Sequence, residues 1–389
     1  MKRVLTVIAV TLLMITGCSG NRQSGNRNDD FITVDVTASY PGKELILQDF
    51  LDVEYIPLET TGEFLCQGLV LDIGKEIIAV RNQINDGDIF IFDRKGKGIR
   101  KINRRGQGPE EYISLSEITL DEDNGEMFVN DFSSRRIIVY DLFGKFVRSF
   151  RYQEGAMYKN MYKFDGEKLI CYDAAIKATD KTSFFILSKQ DGSIMKDIQI
   201  YFKEKKAPTG ILFVGGGPRV NASSYFPIIP YAESWILSEY SADTVFRLMP
   251  DYSMLPFIER IPSIQSGQPE ILLYPGIITD RYLFMKTEMN ELGSGNMVRG
   301  VSIKDYLVYD NQDKAIYKYT IFNDDFSPQK SLDMSNVTIN SEIAFWQKLE
   351  TYALLEDFEK GQLKGKLKKI AAELEEESNP VIMLAKYKK

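Results

Sequence analysis

The residues best placed to do chemistry stand in one short stretch. Arg104, Arg105, Glu110, Glu111 and Tyr112 flank Gly106, Gly108 and Pro109. Two nearby glycines let backbone N–H groups approach a ligand closely, and the charged and phenolic side chains would fix its orientation. Read functionally, this stretch is the rim of a binding site. Read structurally, the glycines and Pro109 shape a chain crossing, and one of the two acids pairs with a neighbouring arginine. Glycine punctuation more often serves backbone geometry. Two other glycine-bearing stretches carry single arginines: Arg219 follows Gly215-Gly216-Gly217-Pro218, and Arg299 follows Gly293 and Gly295. The triple-glycine stretch lacks the GxxxxGK[ST] spacing of a phosphate cradle, and both stretches read as rim or lid loops.

The 389 residues include no histidine. Ser-His-Asp and Cys-His catalysis, HExxH zinc sites and other His-containing metal sites are therefore excluded within this chain. Carboxylate, Lys, Tyr and Arg chemistry remains. Acids recur at Asp93, Asp121, Asp123, Asp141 and Asp310. Calcium in a central channel would use such groups, but no EF-hand spacing accompanies them, and turn-stabilising aspartates are far commoner. No cofactor is expected. The formal net charge of −7 makes a phosphate backbone an unfavourable partner, which argues against nucleic acid.

The elements that must position these residues are short strands in a fixed repeat. Ile89-Phe90-Ile91-Phe92-Asp93 runs into a turn at Gly96, and Ile137-Ile138-Val139-Tyr140-Asp141 runs into a turn at Gly144. Phe185-Ile186-Leu187-Ser188 runs into Asp191-Gly192, so the three glycines are spaced 48 residues apart. A period of this length filled by strands marks the blades of a propeller. Four strands per blade can be read over 68–102, 118–147 and 161–200, with looser blades over 235–258 and 271–321. The insertions 203–230 and 286–300 are long enough to suggest functional loops.

Near the C-terminus the period changes. Ile343, Trp346, Leu349, Ala353 and Phe358, then Leu363, Leu367, Ile370, Ala371 and Leu374, suggest two amphipathic helices broken near Gly361. Residues 381–386 form a final strand, expected to pair with N-terminal strands and close the ring. The fold class is all-β: a six-bladed β-propeller over 31–389, with room for a seventh blade. A helical pair near 341–377 is inserted before the closing strand.

The first 17 residues read as a signal peptide: Lys2 and Arg3 precede an apolar run ending Ile15-Thr16-Gly17-Cys18. Small residues followed by cysteine match a lipobox, which would acylate Cys18 and anchor the protein to a membrane. Residues 18–30 read as a flexible tether, and Ser19 and Gly20 favour the outer membrane, facing either the periplasm or the exterior. Cys66 and Cys171 read as buried, unpaired thiols.

Several motifs resemble a bacterial family of six-bladed β-propeller lipoproteins with NHL-like repeats. They are Arg105-Gly106-Gln107-Gly108-Pro109-Glu110-Glu111-Tyr112, Phe128-Val129-Asn130-Asp131-Phe132-Ser133-Ser134, Val139-Tyr140-Asp141-Leu142-Phe143-Gly144-Lys145 and the ending Asn379-Pro380-Val381-Ile382-Met383. The resemblance implies the fold and an envelope location. It brings no reaction and no catalytic residues.

The leading functional expectation is a lipid-anchored binding or scaffolding module rather than an enzyme. Its partner would be an envelope protein, peptide or glycan held at the channel mouth. The alternative is a carboxylate- or Ca-dependent hydrolase or lyase in the channel, with paired acids such as Glu110 and Glu111. A third reading, docking through an exposed apolar face of the C-terminal helices, requires that face to be uncovered.

Overall fold

The computed structural model describes residues 31–83, 86–175, 181–206, 210–214, 217–221, 225–290, 304–332, 334 and 340–388. Cys18, the signal and tether expected over 1–30, and Arg299 lie outside the described residues.

Six small sheets stand in a ring as a six-bladed β-propeller, leaving no place for a seventh blade. Blade one is Leu69–Ile73, Ile77–Arg81, Asp88–Asp93 and Gly98–Asn103. Blade two is Glu117–Asp121, Glu126–Asp131, Arg136–Asp141 and Phe146–Arg151. Blade three is Tyr158–Lys163, Lys168–Asp173, Lys181–Ser188 and Ile194–Tyr201. Blade four is Ile228–Tyr231, Ser234–Leu237, Thr244–Leu248 and Met254–Ile261. Blade five is Ile271–Ile278, Tyr282–Met289, Lys304–Asp310 and Ala315–Asn323. The sixth combines Ile343–Leu349 and Val381–Tyr387 with the N-terminal strand Leu51–Pro57.

The apolar runs are continuous because both faces of each blade are buried. Alternate residues of one strand serve different neighbours. Ile89 and Ile91 pack toward blade two with Ile118, Met127 and Val129, while Phe90 and Phe92 pack toward blade six with Ile56, Ile382 and Leu384. Similar cores fill the other boundaries.

The 48-residue step has a steric cause. Gly96, Gly144 and Gly192 all adopt left-handed φ, at 87, 84 and 73 degrees. Each seats its hairpin on the outermost strand of the preceding blade. A Cβ on Gly144 would lie 2.7 Å from Ile102, one on Gly192 would lie 2.1 Å from the Phe150 ring, and one on Gly96 would lie 2.0 Å from the Pro57 carbonyl oxygen. Only glycine fits such a seat.

The ring closes as the sequence suggested, with Val381–Tyr387 antiparallel to Leu51–Pro57. Buried Asn379 secures the joint. It accepts the Cys66 amide at 2.9 Å and donates to the carbonyls of Glu59 at 2.7 Å and Phe64 at 2.5 Å. Cys66 lies just before the first blade rather than within it, and both it and Cys171 are buried and unpaired.

The chain before this joint does something the sequence did not indicate. Ile32–Asp35 adds a parallel strand to the outside of blade four, and Gly42–Ile46 adds one to blade five. The N-terminal segment is thus a strap over two blades, leading through a short helix, Leu47–Phe50, into blade six.

The C-terminal helices are Thr351–Glu359 and Gly365–Ala371. They are shorter than the expected 341–377, because Ile343–Leu349 is a strand paired with Val381–Tyr387. Pairing with the closing strand overrides an apolar spacing too short to distinguish helix from strand. Leu354, Leu367 and Ala371 are buried in the core between blades five and six, so the apolar face needed for helix-mediated docking is already covered. Among the described residues, no helix is long and apolar enough to cross a membrane.

Candidate functional site: the central channel

A cavity of about 750 Å³ opens among the inner strands of blades one to four and the start of blade six. Its wall is set by which inner-strand side chains the ring turns inward. The inner strand of blade one contributes Asp72, that of blade two Glu117 and Thr119, and that of blade three Asn160 and Tyr162; Phe164, just past the last of these, and Trp235, from the second strand of blade four, join them. Trp346 of blade six completes it, so the only two tryptophans of the chain face one cavity.

Six acids line the cavity, and two of them, Asp72 and Glu117, stand on inner strands of the wall. Asp72 accepts the amides of Ile73 at 2.8 Å and Leu120 at 2.7 Å, one on each oxygen. Burial nevertheless pushes its carboxyl up to about 6, helped by the charge of Glu122. Glu117 is likewise raised by burial. Its oxygens accept the Asn160 amide at 3.1 Å and the Asn130 side-chain amide at 3.3 Å. Asn160 takes a left-handed φ of 50 degrees, uncommon for a non-glycine residue, where its N–H meets Glu117. Each carboxylate is therefore a fixed acceptor post, and each oxygen keeps a lone pair for a further donor.

The aromatic part of the wall is equally fixed. Trp235 stacks on Phe164 with centroids 6.1 Å apart and planes 18° apart, and Phe164 stacks on Tyr252 in the same way at 5.8 Å. Tyr162 packs beside Trp235 at 5.9 Å. Its phenol is held above the ordinary value by burial, then by the charges of Glu117 and Asp72. Among the described residues, neither indole N–H nor the Tyr162 hydroxyl donates a hydrogen bond. The wall thus includes flat apolar faces, unspent donors in the two indoles and Tyr162, and anchored acceptors in Asp72 and Glu117.

At the cavity edge, which also carries the exposed Glu233 and Glu342, the acids beside blade two are held by the protein. Glu122 accepts the amides of Lys75, Glu76 and Ile77. Asp123 pairs with Lys75 at 2.5 Å and Lys163 at 2.8 Å, and these two ammonium groups hold its carboxyl down to about 2. Asp121 binds Lys163 and Lys189. Asp93 and Asp141 cap their hairpins by accepting the amides of Lys95 and Lys97, and of Phe143 and Lys145. Asp310 binds Lys43 and Arg281. The recurring acids thus have structural partners. Among the described residues, no group of three or more Cys, Asp or Glu side chains is placed to hold a metal.

The arginine- and glycine-rich stretch forms the crossing from blade one to blade two. Tyr112 is fully buried, donating to the Gly87 carbonyl at 2.6 Å and accepting the Arg104 amide at 3.1 Å. The Arg104 guanidinium donates to the Gly144 carbonyl, and Glu111 accepts the Gly108 amide at 2.8 Å. Arg105 and Glu110 are exposed, and the Glu110 carbonyl accepts the Tyr140 hydroxyl. None of Arg104, Arg105, Glu110, Glu111 or Tyr112 lines the cavity. Arg219 lies in the strand Gly217–Asn221 of a two-stranded hairpin with Gly210–Val214, inside the long insertion after blade three. The motif Phe128-Val129-Asn130-Asp131 proves to be a joint between blades: Asp131 accepts the amides of Ile113 and Ser114, and Asn130 donates to the Tyr158 carbonyl.

Sequence reasoning missed the cavity residues because inner strands look like any other strand until the ring is assembled. The available signal was no more than a polar or aromatic residue within each inner strand: Asp72, Glu117, Tyr162 and Trp346.

A family model described as "Domain of unknown function (DUF4934)" matches residues 31–386. No curated protein matches the chain. Among solved structures, one named "Putative exported protein" from Bacteroides fragilis NCTC 9343 is similar, with a TM-score of 0.58 and 15% identity over 90% of this chain and 100% of that one. A member of the DUF4221 family from Bacteroides vulgatus aligns over 88% of this chain and 99% of its own, with 10% identity and a TM-score of 0.43.

Proposed function

Because this chain belongs to the DUF4934 family, whose description assigns no activity, we propose from its geometry that it is a ligand-binding propeller of the cell envelope. The central cavity is its recognition site and a lipid on Cys18 is its anchor. The observation carrying this reading is the convergence of both tryptophans, Tyr162, Asp72 and Glu117 on one cavity. Its volume falls in the range of small-ligand pockets, and aromatic walls with a few fixed polar groups are typical of such sites. The carboxylates accept main-chain amides that anchor them, which suits acceptor posts better than groups that must change protonation and position in a reaction. The envelope location draws support from the lipobox at Cys18 and from the name of the Bacteroides fragilis relative.

Two experiments test this. Cells expressing the full chain and Cys18→Ser should differ, with the wild type in the outer-membrane fraction and the variant soluble in the periplasm. Equal membrane retention of both would remove the anchor. The mature protein should retain small molecules from envelope extract, identified by native mass spectrometry, and a W235A/W346A variant should not. Equal retention by that variant would place recognition elsewhere.

A further inference from the structure

Resting on the cavity reading above, we propose that the ligand is an uncharged oligosaccharide, stacked on Trp235 and hydrogen-bonded between Tyr162 and the carboxylates Glu117 and Asp72.

The argument is one of complementarity. The cavity wall combines donors without partners with acceptors that keep free lone pairs. An organic cation would engage the acceptors and the aromatic faces and leave both indole N–H groups and the Tyr162 hydroxyl unpaired. A phosphate or carboxylate ligand would engage the donors but meet Asp72 and Glu117. Both cavity lysines, Lys75 and Lys163, are already paired with acids, so they offer an anion little compensation. A hydroxyl both donates and accepts, so a polyhydroxylated neutral molecule satisfies the two sets together. A pyranose ring also presents a flat C–H face. The Tyr252–Phe164–Trp235 stack holds the indole plane in place before any ligand arrives, so little ordering entropy is lost on stacking.

The two tryptophans make the protein its own reporter. The mature chain is titrated with maltotriose, cellotriose, mannotriose, xylotriose and N,N′-diacetylchitobiose, each up to about 10 mM, beyond millimolar affinity. Spermidine and trilysine serve as cationic probes. Tryptophan emission and calorimetric heat are read together. At least one sugar should shift the emission and bind saturably. Its affinity should fall roughly tenfold or more in Trp235→Ala and largely recover in Trp235→Phe. Tyr162→Phe should weaken it by roughly fivefold, the size of one hydrogen bond. Should Trp235→Ala fail to fold, Trp235→Phe and Tyr162→Phe, with Trp346 as sole or second emitter, carry the test. Binding of spermidine or trilysine in place of every sugar overturns the carbohydrate assignment and leaves the cavity reading standing. Silence toward all sugars overturns the assignment as well. The cavity reading falls separately, if capture from envelope extract is indifferent to W235A/W346A.

Discussion

Asp72 accepts the main-chain amide of Leu120 at 2.7 Å, joining blade one to blade two across one full 48-residue repeat. The same carboxylate stands in the cavity wall. One residue therefore fastens the ring and furnishes its interior, and the chemistry of the site is coupled to the stability of the fold.

That coupling gives a pH dependence. The folded state holds the Asp72 proton up to about 6, whereas an unfolded chain releases it near the ordinary value of 3.8. Between these values the folded protein binds more protons than the unfolded one, so this group's contribution to stability declines as pH rises through the window. Denaturant unfolding of wild type and Asp72→Asn should show a stability difference that shifts against the wild type from about pH 4 to about pH 6 and is level above it. A difference that moves the other way contradicts the assignment.

Asp310 has the opposite sign. Burial alone would raise its carboxyl, but hydrogen bonds from Arg281 and Lys43 outweigh that and hold it well below the usual range. Its contribution is present above the unfolded value and lost as pH falls below it. Asp310→Asn should cost about 3 kcal/mol at neutral pH, and the cost should shrink progressively as pH falls below 3.8, measured by denaturant unfolding. Lys43 lies in the strap strand Gly42–Ile46, so that strand should also exchange its amide hydrogens faster in the variant.

Gly144→Ala places a methyl group 2.7 Å from Ile102 at a φ of 84 degrees. Gly125→Ala has a φ of 68 degrees but nothing within 4 Å. The first should cost about 2 kcal/mol more than the second, because it adds a clash to the same kind of backbone strain. Equal thermal shifts for the two would mean that the hairpin seat between blades contributes nothing.

Asn379→Ala leaves the Cys66 amide and the carbonyls of Glu59 and Phe64 without their partner at the closing joint. Buried polar groups stranded in this way cost about 1–3 kcal/mol each, so a loss of about 4 kcal/mol is expected. Exchange in Val381–Tyr387 and Leu51–Pro57 should rise together. Protection retained in both strands would show that pairing alone closes the ring.

Much of the fold was legible where local sterics leave a mark in the chain. The glycines at 96, 144 and 192 repeat because each hairpin must seat on its neighbour, and the closing strand could be read from the run Val381-Ile382-Met383-Leu384-Ala385. The strap left no such mark. A parallel strand added to the outside of a blade needs only backbone groups and a few side chains, and Ile32-Thr33-Val34-Asp35 would look the same in any edge position. The strand Ile343–Leu349 reads as helix in the sequence because Ile343, Trp346 and Leu349 fit the helical spacing, and pairing with the closing strand decides otherwise. The site was the least legible. Arg104 to Tyr112 drew notice through residue types that serve an inter-blade crossing, whereas Asp72, Glu117 and Tyr162 converge only because the ring brings three repeats to one axis.

The most direct test is a crystal structure of the mature protein with the tightest-binding trisaccharide of the panel. Ordered sugar density stacked on Trp235, within hydrogen-bond distance of Tyr162 and Glu117, is the predicted result. Density seated instead on the crossing around Arg105 and Glu110, with the channel holding only solvent, would contradict the account.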